Sequence, residues 1–329
     1  MKKIFICFIC LCITCVYCFS ACTETDVNTV KLVAVDVNSV GLLSDIDYYV
    51  VPEPAASTKV KAIKDLNFAG DLQQLYDGES GYPQAVVVAK NELLGTAFLS
   101  QFTASLYESD KWLNETSIET IVGAVQDHLM SGLEPTIRLQ NLTREVIGNC
   151  GIDFVSAVEE KKEILNFMQK LNAVGGNAFG IPSDEFFFET IGENDYNQKV
   201  SVYAPDGAPA LGIAKLMFEN TLKNVEYNIV NPNTVQALVG GVNPKADICV
   251  LPVNIAVKLL GDAKKYHLIG TLTHGNLFLL ANSEQNINGD LHKLKGQTVG
   301  VVNLTAVPGL TFKLILKDKG INCLESYND

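Results

Sequence analysis

Short apolar runs alternate with helical-period segments along most of this chain. Val30-Lys31-Leu32-Val33-Ala34-Val35 alternates as a strand, and Asp36-Val37-Asn38-Ser39 offers a helix start after it. Tyr48-Tyr49-Val50-Val51 predicts a second strand, ending in Pro52-Glu53-Pro54-Ala55-Ala56-Ser57-Thr58. Ala85-Val86-Val87-Val88-Ala89 predicts a third, continuous enough to be buried on both faces. From residue 91 to residue 171 the pattern turns helical. Leu94, Phe98, Phe102 and Leu106 hold a helical period, as do Ile118, Ile121, Val122, Val125 and Leu129. Gly175-Gly176-Asn177 ends the last of these helices, and Phe186-Phe187-Phe188 lies in a short tail. Residues 189–198 are polar and aperiodic and predict a linker, long enough to reach roughly 33 Å when extended. Further strands are expected near Val200, Val225, Ile248, Leu268, Leu277 and Val299. No sequence repeat relates the two halves. Strands alternating with helices in this way predict α/β architecture with parallel, doubly wound sheets.

Three strands of the second half end in small, polar or proline-containing turns that open helices. Val200-Ser201-Val202-Tyr203-Ala204 leads into Pro205-Asp206-Gly207-Ala208-Pro209-Ala210 and a helix expected through Met217. Asp247-Ile248-Cys249-Val250-Leu251 leads into Pro252-Val253-Asn254, and Thr298-Val299-Gly300-Val301-Val302 into Asn303-Leu304-Thr305-Ala306-Val307-Pro308-Gly309. In open α/β sheets, ligands sit beyond the carboxyl ends of strands, where helix N-termini expose N–H groups. The pattern points to binding before it points to catalysis.

The N-terminus reads as an export signal. Lys2 and Lys3 precede an uncharged apolar run over residues 4–19, too short for a comfortable membrane span, followed by Ser20-Ala21-Cys22. Of nine cysteines, five lie in that leader and Cys22 follows it; Cys150, Cys249 and Cys323 remain, without metal-ligand spacing. Cys249 reads as a small buried apolar residue. Neither a metal nor a cofactor is expected. The formal net charge of −12 argues against nucleic acid or anionic lipid as partners.

Several phrases carry a family resemblance. Phe19-Ser20-Ala21-Cys22 resembles a bacterial lipobox, which implies cleavage before Cys22 and lipidation of its sulfur; plain signal-peptidase cleavage nearby is the alternative. Pro205-Asp206-Gly207-Ala208-Pro209-Ala210-Leu211, Leu251-Pro252-Val253-Asn254, Thr273-His274-Gly275-Asn276 and Ala306-Val307-Pro308-Gly309-Leu310-Thr311 resemble substrate-binding lipoproteins of ABC importers, in the nitrate, sulfonate and thiamine-precursor group. Val51-Pro52-Glu53-Pro54-Ala55-Ala56-Ser57 and Gly81-Tyr82-Pro83-Gln84-Ala85-Val86 resemble the later half of the same family. The resemblance implies a type II-like periplasmic-binding-protein fold, with two α/β lobes joined by crossover strands and a ligand held between them. In that family the PDGAPAL segment precedes the PEPAAS segment. Here the order is reversed, which implies a circular permutant whose usual termini are joined through residues 189–198. One lobe is then expected from residues 26–84 and 283–329, the other from 90–188 and 199–271, with hinge strands at 274–280 and 86–89.

The candidate ligand residues follow from the strand ends. Gly207 and Ala208 N–H groups beside Asp206 suit an anionic or carbonyl oxygen, though Pro-Asp-Gly is equally an ordinary capped turn. Asn254 offers a donor and an acceptor, or a helix cap. His274 and Asn276 lie beside the expected hinge, as cleft residues or as satisfied structural ones. Thr305 and Val307 precede a helix whose N–H groups suit a carboxylate, sulfonate or phosphate; Pro308 is also an ordinary first-turn proline. Glu53, after two strand tyrosines and a proline, suits a ligand amine or ring N–H, or a salt bridge across the cleft. Trp112 reads as core packing.

Taken with the resemblance, these residues predict a monomeric lipoprotein, anchored on the extracytoplasmic face of a bacterial membrane, that captures a small solute for an ABC permease. No GxSxG, HExxH or Cys/His pairing signals catalysis. The alternatives are an enzyme on the same bilobal fold, dehydratase-like or pyrimidine-precursor-synthase-like, with Glu53 and His274 transferring a proton, or an interaction lipoprotein without a ligand. With no Lys or Arg in the candidate turns, an uncharged or aromatic heterocycle such as a pyrimidine is expected; riboflavin-like, sulfonate and amino-acid-like ligands stay open.

Overall fold

The computed structural model describes residues 28–77, 81–282, 285 and 287–326. The leader and the lipidation candidate Cys22 lie outside the described residues. The chain begins with β1 (Thr29–Val35), β2 (Tyr48–Pro52), α1 (Ala55–Ala62), β3 (Leu66–Asp71) and α2 (Leu72–Asp77). It then passes through Tyr82 into β4 (Pro83–Lys90), which belongs to a different sheet. Around that second sheet come α3 (Ala97–Tyr107), α4 (Ser109–Glu115), α5 (Ile118–Gln126) and α6 (Arg144–Asn149). They are followed by β5 (Ile152–Ser156), α7 (Ala157–Gly175), β6 (Val200–Pro205), α8 (Ala208–Gly212) and α9 (Ala214–Glu219). β7 (Val225–Val230), β8 (Ile248–Pro252), α10 (Val253–Leu260) and β9 (Tyr266–His274) complete this lobe. The chain returns through Gly275-Asn276 into β10 (Leu277–Asn282), β11 (Thr298–Val302), α11 (Val307–Asp318) and β12 (Asn322–Ser326) of the first sheet.

Each lobe is therefore a six-stranded sheet flanked by helices, in the orders β12-β1-β11-β2-β10-β3 and β5-β9-β4-β8-β6-β7. The bilobal α/β, type II-like architecture expected from the sequence is the one observed, with mixed rather than all-parallel sheets. The reason is topological. β4 enters the second sheet at the edge where β6, β8 and β9 end, so it runs against β8 and β9. β10 enters the first sheet where β2 ends and likewise runs antiparallel to it. The carboxyl ends of the remaining central strands thus face each other across the lobe boundary. The chain crosses that boundary at 81–83 and 275–276, while residues 86–89 sit wholly inside β4. β4 alternates as a doubly covered strand must: Val86 and Val88 pack on the α7 side, Ala85, Val87 and Ala89 on the α3 side.

α7 ties the lobes together. Ser156 and Glu159 form a reciprocal capping box at its start, and Gly176 at φ +67° ends it. Its stripe of Ile164, Phe167, Met168 and Leu171 joins apolar residues of both sheets and of α11 in one continuous core. Phe167 stacks on Tyr82 at 5.3 Å and meets Tyr76 edge-on at 5.8 Å. Lys170 Nζ donates to the Tyr76 hydroxyl at 3.3 Å.

Three local expectations change. Residues 91–171 are not uniformly helical: β5 interrupts them, with Ile152 and Phe154 buried around an exposed Asp153. The helix expected through Met217 divides at Ile213 into α8 and α9, where Gly212 packs so closely on Leu272 that a Cβ there would lie 2.7 Å from it. After Asp36 there is only a single 3-10 turn, Val37–Ser39. Residues 189–198 stay within the second lobe, pinned along α3 by Ala97 N–H to Asn194 O at 2.9 Å and Ser100 Oγ to Thr190 O at 2.9 Å.

Because Phe167 is buried where α7 meets the chain crossing, Phe167→Ala is expected to lower unfolding stability by about 3–5 kcal/mol. Urea unfolding with an unchanged slope checks this; a loss below about 1 kcal/mol contradicts the bridging role of α7.

Candidate functional site between the lobes

The edge of the second sheet that faces the first lobe carries polar side chains in register. β6 and β8 pair as Val202 with Ile248 and Tyr203 with Cys249, so Asp206 falls beside Pro252, next to Asn254. β8 pairs Pro252 with Ala85 of β4, and β4 pairs Ala85 with Thr273 and Pro83 with His274 of β9. Adjacent strands lie about 4.8 Å apart, so Asp206, Asn254, Gln84 and Thr273-His274 occupy successive positions along one edge.

All of these side chains hold buried atoms with no hydrogen-bond partner. Asn254 is fully buried, and neither its amide nitrogen nor its oxygen is paired. Asp206 Oδ2 accepts from Thr136 N–H at 2.6 Å, but Oδ1 is unpaired. Gln84 Oε1, Thr271 Oγ1, Thr273 Oγ1 and His274 Nδ1 are unpaired as well, whereas the Tyr82 hydroxyl at the crossing meets the Thr311 side chain of α11 and the Asn276 backbone. Among the described residues Asn254, Asp206, Gln84, Thr271, Thr273 and His274 hold seven of the twelve buried side-chain atoms that lack a well-formed hydrogen bond. Native proteins leave few such atoms, each costing about 1–3 kcal/mol, so their concentration at one boundary makes it the candidate site.

Other candidates turn out to be consumed by the fold. Asn276 Oδ1 accepts from Gln84 Nε2 at 2.6 Å, and its Nδ2 donates to Glu53 O at 3.2 Å, which fastens the return crossing. Glu53 accepts from Ser57 N–H at 3.0 Å, Ser57 Oγ at 2.5 Å and, across the lobes, Asn149 Nδ2 at 3.4 Å. His274 Nε2 lies 2.8 and 2.9 Å from the two carboxylate oxygens of Glu160, so its partner is Glu160 and not Glu53. α8 has five residues, too short to focus a helix dipole on an anion at Gly207-Ala208. Gly207 serves instead as the point of closest approach: at φ +114° it takes a backbone that side chains rarely adopt, and a Cβ would lie 3.9 Å from Pro54 Cδ of the other lobe. Thr305 is exposed, while Val307 is buried at the start of α11.

The side of the boundary away from α7 is polar. Lys61 Nζ donates to Gln140 O at 2.6 Å and Asn141 Nδ2 to Thr58 Oγ1 at 3.0 Å. Beside them opens a depression of about 470 Å³, lined by Phe68, Asp71 and Phe278 from one lobe and Glu145 and Asn149 from the other. Sequence reasoning missed Gln84, Thr271, Thr273 and Asn149. The signal that could have found part of this set is Thr271-Leu272-Thr273, two hydroxyls at period two in an otherwise apolar strand.

No family model matches this chain, and no curated protein matches it. Among solved structures it is similar to the oligopeptide-binding protein AppA from Bacillus subtilis in complex with a nonapeptide, at 12% identity and a TM-score of 0.27 over 76% of this chain and 54% of that one. It is also similar to a mannohexaose-bound periplasmic oligopeptide-binding protein of an ABC transporter from Thermotoga maritima, at 12% identity and a TM-score of 0.21 over 76% of this chain and 56% of that one. The chain thus spans about half the length of either.

Burial raises the carboxyl pKa of Glu53, with the Ser57 and Asn149 hydrogen bonds opposing the shift. A carboxyl that binds its proton more tightly folded than unfolded makes stability fall as pH rises from the unfolded pKa through the folded one. Glu53→Gln is therefore expected to be more stable than the parent at pH 7, with the difference closing toward pH 4. Urea titrations at the two pH values check this, and a variant weaker than its parent at pH 7 contradicts it.

Proposed function

We propose that this chain is a solute-binding protein that closes its two lobes on a small molecule and passes it to an ABC importer, without catalysing a reaction. Residues 28–82 with 277–326, and 83–274, are the two bodies of the hinge motion. Cys22 is the lipid anchor holding the protein at the extracytoplasmic face of the membrane, and the chain acts as a monomer. The segment order is a circular permutation of the nitrate, sulfonate and thiamine-precursor binding architecture, with residues 189–198 closing the former termini.

The observation that carries the reading is the line of unpaired polar atoms on Asp206, Asn254, Gln84, Thr273 and His274, enclosed by the opposite lobe. Hydrogen bonds from a captured solute would satisfy it; without a solute the fold bears the cost. Ligand contacts are accordingly assigned to Asp206, Asn254 and His274, with Gln84, Thr271 and Thr273. Gly207, Ala208, Asn276, Glu53 and Val307 shape and fasten the enclosure, and Thr305 stands at its rim.

This yields a test that needs no knowledge of the ligand. Leu repeats the branched four-heavy-atom shape of Asn254 and removes its unpaired amide, so Asn254→Leu is expected to stabilise the ligand-free protein by about 1 kcal/mol or more. The same variant should abolish the melting-temperature rise given by any solute that binds the parent. Destabilisation of comparable size would mean that the amide is already satisfied within the fold, and would remove the main support for solute capture.

A further inference from the structure

The unpaired atoms between the lobes are an unequal set of donors and acceptors. Asp206 Oδ1 can only accept. Gln84 commits its amide nitrogen to Asn276, so it presents only the carbonyl Oε1. Both carboxylate oxygens of Glu160 face His274 Nε2, and a carboxylate cannot donate, so Nε2 carries a proton and Nδ1 is left unpaired. The hydroxyls of Thr271 and Thr273 take either role, and Asn254 takes both. Two positions thus demand a donor from the ligand, and no side chain in the set is a Lys or Arg that would meet an anion.

The open depression repeats the same preference. Asp71 and Glu145 are the charged residues of its lining, and both are acidic. The rings of Phe68 and Phe278 meet edge to face at 5.2 Å beside them. Asn149 joins this lining to the buried carboxylate of Glu53. Carboxylates beside aromatic faces attract cations, and a chain of net charge −12 adds a field of the same sign.

We propose that the solute is an amine, positively charged and rich in N–H donors. The acidic, aromatic mouth draws it in, and Asp206 Oδ1 and Gln84 Oε1 accept its hydrogen bonds. This departs from the neutral heterocycle expected from the sequence, and it rests on the solute-capture reading above.

Two matched series test it on the full mature chain by thermal shift at millimolar ligand. One is diaminobutane, butanediol and succinate; the other is benzylamine, benzyl alcohol and benzoate. Each keeps its skeleton and changes only donor content and charge. The amine of at least one series is expected to raise the melting temperature by about 5 °C at saturation, above its alcohol and its acid. Asp206→Asn should lose that rise. Should Asp206→Asn not fold, Glu145→Gln, an exposed substitution at the mouth, should raise the amine's apparent dissociation constant severalfold. An alcohol or acid that matches or exceeds its amine overturns the amine assignment and leaves solute capture standing. No rise in either series also overturns the amine assignment, and the Asn254→Leu melt then decides separately whether capture falls with it.

Discussion

Two strands that must run against their neighbours organise the molecule. β4 and β10 each begin at the lobe boundary and end away from it, whereas β2, β6, β8, β9 and β11 end at the boundary. That arrangement leaves the carboxyl ends of two sheets pointing at one another. Polar strand-end residues that would meet water in an isolated sheet are instead enclosed between lobes. Everything distinctive about the site follows: the fully buried amide of Asn254, the half-paired carboxylate of Asp206 and the hydroxyls of Thr271 and Thr273.

Such burial needs a counterweight. It comes from α7, which packs on β9, β5 and β4 of the second sheet and on α11 of the first lobe, so that a single apolar core runs through both lobes. A cluster of two tyrosines and a phenylalanine, Tyr76, Tyr82 and Phe167, packs ring against ring where the chain passes over. Apolar burial at roughly 25 cal/mol per Å² offsets the unpaired polar groups, and the fold keeps a vacancy of hydrogen bonds without a loss of cohesion.

The main strands were legible because each is a short apolar run bounded by turn residues: Val200, Val225, Ile248, Leu268, Leu277 and Val299 all lie in strands. β5 was hidden because only Ile152 and Phe154 alternate, within a stretch dominated by helical periods. At the site, Asn254, Asp206 and His274 were visible as polar residues closing apolar strands. The fates of Asn276 and Glu53 were not, because they are decided by partners far along the chain. Gln84 reaches Asn276 across 192 residues, Asn276 reaches the Glu53 carbonyl across 223, and Asn149 reaches the Glu53 carboxylate across 96. Strand-end pattern identifies which residues arrive at a boundary; only the assembled topology decides which of them remain free there.

The unequal stitching of the two flanks gives the boundary a direction. On the α7 flank the lobes share interdigitated rings and aliphatic chains, while on the opposite flank they meet through Lys61 on Gln140, Asn141 on Thr58 and Asn149 on Glu53. Water can replace the second set bond for bond, but it has nothing to offer the first. Any separation of the lobes would therefore start from the polar flank, like a book bound along α7. The fore-edge is the flank held by replaceable bonds, where Phe68 and Glu145 are exposed beside a half-buried Asp71 and a buried Phe278, and the spine is the flank held by packing.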